Sequence, residues 1–177
     1  LLEMSIKVSF IQRESYFSTI EEKLAEFDKE IKAPSISPMR RIDLSYLKDD
    51  TKPDFLEEVG RLYGAASSFV HVTPKSIEYR QNRVGDGRIM GKESKDDLAK
   101  LNDLLQSIYA ASLVFLSHSV PQYVIGDWHV DRTGELINWH YIGSRYIAEI
   151  DSTLDYKAER KEILDRVVRE RDLGIQF

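Results

Sequence analysis

The spacing of apolar residues along much of this chain is that of α-helices. The clearest helix is predicted from Ser94 to about His118, where apolar positions recur at steps of three and four and therefore fall on one face. Ser94 and Asp97 have the spacing of a capping box, which satisfies free backbone N–H groups at a helix start. The predicted face comprises Leu98, Leu101, Leu105, Ile108, Ser112, Phe115 and Leu116.

The N-terminal part predicts one long helix over about residues 5–32. Two other interpretations stay open here. A capping box formed by Ser18 and Glu21 would start the helix only there, and the alternation of Ile6, Val8 and Phe10 allows a short strand before it. The apolar face of the long helix would carry Phe10, Phe17, Ile20, Leu24, Phe27 and Ile31.

A loop containing three prolines is predicted over residues 33–53, and a helix follows from Asp54 to about His71. Pro74 disfavours helical backbone in the residue before it, so this helix should end near His71. Pro74 then suits the first turn of a short helix that reaches about Arg83. The longer helix would bury Phe55, Val59, Leu62, Ala66, Phe69 and Val70.

The spacing of apolar residues is less regular in the C-terminal part of the chain. A short helix is predicted over residues 119–125, ending at Gly126. Beyond it, a small β-hairpin within residues 123–141 competes with a helix over residues 133–150, which we favour because the helical period lasts longer. A final helix is predicted over residues 154–171. The favoured helix would present Leu136, Trp139, Gly143, Tyr146, Ile147 and Ile150 on one face.

Together these elements predict an all-α fold, a bundle of four to five helices with short connecting helices. We expect residues 1–177 to form a single helical domain, with the bundle over residues 54–171. The chain begins with leucine rather than methionine, so we also expect a segment of a longer protein; the alternative is that Met4 is the true start.

Composition narrows the class of protein. Hydrophobic residues make up 42% and charged residues 31%, which indicates a folded rather than a disordered chain. A net charge of −5 argues against a general nucleic-acid coat or a binder of anionic membranes. The absence of cysteine excludes disulfides and thiolate zinc sites. No apolar stretch is long enough to cross a bilayer and no nucleotide-binding motif is present, so we expect a cytoplasmic protein without a cofactor.

The most distinctive segment, residues 62–74, reads LYGAASSFVHVTP. It resembles the helix-ending pattern "LY..LS.fvH.tp" of uncharacterised bacterial families loosely related to HEPN domains. That resemblance implies a helical bundle of the kind found in toxin–antitoxin and phage-defence proteins, many of which are RNases. It makes His71 the candidate catalytic residue, since an imidazole can act as acid or base near neutral pH.

Catalytic members of that superfamily have an arginine followed by four to six residues and then the histidine, and this chain does not contain that spacing. The preceding Arg61 would lie about 15 Å away along a helix, too far to share one phosphate with His71. An RNase would therefore have to use Arg80 or Arg83, which lie one turn apart on the predicted short helix. With Tyr79, which could stack on a base, and Arg88, they form a candidate anion or local nucleic-acid site.

A metal site is a third hypothesis. His118, His129 and His140 are spaced eleven residues apart, and Asp131 follows His129 closely. Imidazole and carboxylate groups are ordinary metal ligands, so His129, Asp131 and His140 could form a site if folding joined them. The chain carries no HExxH motif to support this.

These observations favour a non-catalytic helical interaction or regulatory module of HEPN-like type, from a bacterial defence or toxin–antitoxin protein. We expect it to bind a protein partner or to self-associate. The metal-independent RNase and the histidine-bound metal site are the alternatives.

Overall fold

The computed structural model describes residues 1–12, 18–33, 39, 41–70, 74, 77–78, 81–82, 94–128, 144–154, 169 and 172–173. Within these residues the chain forms six helices and no strand, which confirms the predicted all-α fold. The helices are α1 (Leu2–Gln12), α2 (Ile20–Lys32), α3 (Thr51–Val70), α4 (Lys95–Ser117), α5 (Gln122–Trp128) and α6 (Arg145–Thr153).

The prediction of one long N-terminal helix is wrong, because two separate helices occupy this region. The strand allowed over residues 6–10 is also wrong, because α1 already begins at Leu2. Thr19 adopts an extended backbone and caps α2, one residue later than the predicted Ser18 cap. The backbone N–H of Glu22 donates to Thr19 Oγ1 at 3.2 Å, and the N–H of Thr19 donates to Glu22 Oε2 at 2.7 Å. This capping box supplies the physical reason for the break.

Helix α3 begins at Thr51, three residues before the predicted start. Pro53 therefore lies inside the first turn, where its missing N–H removes no helical hydrogen bond. The helix is described to Val70, and its predicted end near His71 lies outside the described residues. Of the short helix predicted to follow, residues 74, 77–78, 81 and 82 are described and are helical.

The long helix α4 matches its prediction closely. Ser94 is its N-cap, and the Ser94 hydroxyl accepts a hydrogen bond from the Asp97 backbone N–H at 3.1 Å. Helix α5 starts later than predicted and continues through Gly126 to Trp128, so a hairpin strand beginning at residue 123 is wrong. Residues 129–141, the rest of the hairpin prediction, lie outside the described residues.

Helix α6 also corrects the prediction of one helix over residues 133–150. Ser144 has an extended backbone (φ −136°, ψ 157°), and its hydroxyl accepts a hydrogen bond from the Ile147 N–H at 3.2 Å. A local cap thus starts a new helix at Arg145. The extended backbone of Leu154 ends it, and most of the final helix predicted over residues 154–171 lies outside the described part of the chain.

The core lies where the second half of α4 meets α1, α3 and α6. At its centre the Phe55 ring lies 5.2 Å from the Phe115 ring and 4.9 Å from the Tyr146 ring, measured between centroids. All three side chains are fully buried. Other buried residues surround them: Leu2, Ile6, Phe10, Val59, Leu62, Ile108, Ala111, Val114, Ile125, Ile147 and Ile150.

Replacing Phe55 should test this centre. We expect Phe55→Ala to lower the free energy of unfolding by about 3–5 kcal/mol, because it removes both ring contacts and leaves a cavity between three helices. Urea unfolding followed by circular dichroism measures the change. Glu57→Ala, at an exposed position of the same helix, is the control and should alter stability by less than about 0.5 kcal/mol. A similar loss for both variants would contradict the assigned core.

Candidate functional site

Of the residues that the sequence singles out for chemistry, His118 lies in the described part of the chain and the others do not. The candidate catalytic histidine, the anion-binding group and the proposed metal ligands therefore stay predictions. They are His71; Tyr79, Arg80, Arg83 and Arg88; and His129, Asp131 and His140.

His118 is the one histidine whose surroundings the structure describes. It follows the end of α4, where its Nδ1 lies 2.7 Å from the Val114 carbonyl oxygen. On the other side of the ring, Nε2 accepts a hydrogen bond from the backbone N–H of Tyr46 at 3.1 Å, and the Tyr46 ring lies 4.8 Å away. This arrangement fits a neutral ring with its proton on Nδ1. His118 is thus a structural link between α4 and the loop over residues 41–50.

Burial lowers the pKa of His118 below the ordinary value of 6.5, and the positive charge of Lys52 acts in the same direction. The Val114 and Leu44 carbonyl groups and the Asp43 carboxylate oppose that shift without reversing it. Protonation would also place a second N–H opposite the Tyr46 N–H, since Nε2 would become a donor.

The same loop is attached to α6 as well. The backbone N–H of Lys48 donates to the Glu149 carboxylate, and Leu44 and Leu47 are buried in the core. Within the described residues no group of three or more histidine or acidic side chains could hold a metal ion. The geometry around His118 therefore supports a structural role.

Helix α2 is oriented in an unexpected way. Its apolar side chains fall on one face, as their spacing predicts, and they form an outward row of Ile20, Leu24, Phe27 and Ile31, called the α2 row below. Ile20 is 74% exposed, Leu24 60% and Ile31 45%, while Phe27 is partly buried. The apolar face of an amphipathic helix usually packs against the core, whereas this face is mostly turned to solvent.

Polar groups hold α2 on the protein instead. Lys23 Nζ donates to Gln12 Oε1 at 2.9 Å, which joins α2 to the end of α1. Glu30 is buried, and its Oε1 lies 3.6 Å from Nη2 of Arg41, whose guanidinium stacks over the Phe10 ring at 4.2 Å. Because these contacts use the flank of α2, they leave its apolar row turned to solvent.

A buried lysine strengthens the attachment at the end of α2. Lys7 of α1 is almost fully buried, and its Nζ donates to the Ala33 carbonyl oxygen at 3.2 Å. The same ammonium group lies 2.8 Å from Glu3 Oε1. A buried charge with both an ion pair and a hydrogen bond is costly to leave unpaired, so this contact fixes where α2 ends relative to α1.

Helix α4 carries a second outward row in its first half, called the α4 row below: Leu98, Leu101 and Leu105. These side chains are 45%, 45% and 40% exposed. The same face continues inward, because Ile108, Ser112 and Phe115 are buried. Of the predicted face of α4, these three residues belong to the core, whereas Leu116 is only partly buried and the first half is exposed.

The described residues contain no helix with both the length and the hydropathy needed to span a membrane. Comparison with known protein families, with curated protein sequences and with solved structures found no match to this chain.

His118 predicts a pH dependence of stability. Well above pH 6.5 the ring is neutral in both the folded and the unfolded chain, so it adds no pH dependence there. As the pH falls through 6.5, His118 of the unfolded chain binds a proton, whereas His118 of the folded protein binds it only at lower pH. The free energy of unfolding therefore decreases with falling pH until the lowered pKa of the folded-state His118 is passed.

Urea unfolding at a series of pH values, for the wild type and for His118→Gln, measures this effect. The variant should be less stable near neutral pH by about 1–3 kcal/mol, because the Tyr46 N–H loses its partner. It should also lose less stability on acidification. The other three histidines are common to both proteins, so equal pH slopes would contradict the assignment.

Proposed function

We propose that this chain is a non-catalytic helical interaction module of HEPN-like type, which binds protein partners through rows of apolar side chains on its surface. The α4 row carries the proposal. Three leucines at steps of three and four present one apolar face over two helical turns, and each is 40% exposed or more. Isolated exposed leucines are common on proteins, but an aligned row at helical spacing suits a partner helix.

The spacing of the α4 row indicates the chemistry of its partner. Leu98, Leu101 and Leu105 continue the 3–4 repeat of Ile108, Ser112 and Phe115, which already packs against helices in the core. A helix with an apolar face could extend that packing over the first half of α4. The resemblance of residues 62–74 to HEPN-like families supports the assignment to a helical module of defence or toxin–antitoxin type.

An interaction module accounts for the described charges better than a nucleic-acid site does. The exposed arginine Arg61 is paired with Glu58, and Arg145 is bonded to the Tyr146 hydroxyl and lies 3.7 Å from Asp54. Carboxylates beside these guanidinium groups weaken their attraction for phosphate. The RNase hypothesis depends on His71, Arg80 and Arg83 and stays a prediction.

A charge placed in the α4 row tests the proposal. We expect Leu101→Glu to remove partner binding, because a carboxylate would be buried against an apolar surface without a counter-charge. Asn102→Glu, which adds the same charge at the next exposed position, is the matched control and should bind normally. Both variants should unfold within about 0.5 kcal/mol of the wild type, since both positions are exposed.

Affinity capture from extracts of the native cells, quantified by mass spectrometry and repeated with purified partner, measures binding. A specific partner that the wild type and Asn102→Glu retain and Leu101→Glu loses would support the proposal. If all three proteins retain the same set of proteins, the α4 row is not a binding surface and the proposal fails.

A further inference from the structure

We infer that the α2 row is a self-pairing surface, on which α2 of a second copy of this chain docks antiparallel. This inference rests on the proposed function, because it names the partner of one of the two apolar rows. Polar contacts on one flank hold α2 on the protein, and its apolar row is exposed to solvent.

The α2 row has the geometry of a helix–helix seam. With 3.6 residues per turn, Ile20, Leu24, Phe27 and Ile31 lie within about 60° of one another around the helix axis. Their steps of four, three and four are those of the apolar positions in a two-stranded coiled coil. The buried Glu30 lies roughly a quarter turn away, on the flank that faces the protein.

The α2 row of one copy is complementary to the α2 row of a second copy that runs in the opposite direction. In an antiparallel pair, Ile20 of one copy lies beside Ile31 of the other, and Leu24 lies beside Phe27. The two-fold axis repeats each contact, so four layers form from a single sequence. A closed, isologous pair of this kind buries the whole row of both copies.

The charges of α2 favour the antiparallel direction. Its first turn carries Glu21 and Glu22, and its last turn carries Lys29 and Lys32. Antiparallel pairing places the acidic end of one copy beside the basic end of the other, whereas parallel pairing would bring like charges together. Asp28, exposed near the same seam, lies close to Glu21 of the second copy and offsets part of this attraction.

The area that the α2 row can bury sets the expected affinity of the dimer. Helix α2 has 13 residues and is about 20 Å long, so one helix pair buries less than the roughly 800 Å² per partner of a standard interface. We therefore expect a weak dimer whose population rises with protein concentration over the micromolar range.

Sedimentation equilibrium on the full chain tests the pairing. We expect Leu24→Glu to weaken the dimer at least about tenfold, because the new carboxylate would enter the seam. Ala25→Glu, at the next exposed position and outside the row, should dimerise like the wild type. Lys32→Glu should weaken the dimer by about fivefold, and adding Glu21→Lys to it should restore the dimer, since the two symmetric charge pairs re-form.

Disulfide trapping tests the direction, because the chain has no cysteine of its own. A mixture of the Ile20→Cys and Ile31→Cys variants should form a mixed disulfide under mild oxidation. Neither variant alone should cross-link efficiently, because in the antiparallel pair two copies of either position are about 16 Å apart, well beyond disulfide reach. Efficient cross-linking of Ile20→Cys alone would overturn the antiparallel arrangement.

A wild type that stays monomeric at all concentrations would overturn the inference, as would a dimer that Leu24→Glu leaves intact. The proposed function fails by a different measurement, the loss of partner capture in Leu101→Glu, so the two failures are distinguishable. A monomeric protein that still captures a partner through the α4 row would leave the proposed function standing and remove only the self-pairing.

Discussion

The contact of Phe55 with Phe115 and Tyr146 joins α3, α4 and α6, and the rest of the fold is arranged around it. Three aromatic rings at about 5 Å remove a large apolar area from water at one place, which fixes the second half of α4 in the core. The buried positions of α4 accordingly begin at Ser107. Its first half extends beyond this centre, and that geometry leaves the α4 row at the surface.

Electrostatic contacts decide the orientation of α2. An isolated amphipathic helix gains most by burying its apolar side, since each buried aliphatic side chain contributes about 1.5–3 kcal/mol. Here the contacts of Lys7, Glu30 and Arg41 attach α2 by its polar flank, and the buried Lys7 ammonium is satisfied by Glu3 and the Ala33 carbonyl oxygen. The apolar row lies outside these contacts and stays exposed.

Among the residues considered for catalysis or ligand binding, the structure assigns a structural role to His118. His118, with both ring nitrogens engaged by backbone groups, links the loop over residues 41–50 to the end of α4. The residues named for catalysis, anion binding and metal binding lie outside the described residues, so their roles stay predictions from the sequence. The surfaces that the structure does describe, the α2 and α4 rows, suit binding to other helices.

The sequence by itself determined the fold class and several helix boundaries. Helical periodicity and local caps are short-range properties, so Ser94 correctly predicted the start of α4. Thr19 caps α2 one residue after the predicted cap Ser18. The alternative prediction, a helix that starts only at this cap, was therefore closer to the structure than one long helix over residues 5–32. The second half of the α4 face was also predictable, because its apolar spacing and its burial agree.

Only the tertiary structure decided which apolar faces are buried. A periodic pattern shows that a helix has an apolar side, but it does not show which neighbour meets that side. For α2 the answer depended on Arg41 and Lys7, which reach it from a loop and another helix. For α4 it depended on how far the helices around Phe115 extend. The link between His118 and Tyr46 joins residues 72 positions apart, a long-range pairing that no local pattern encodes.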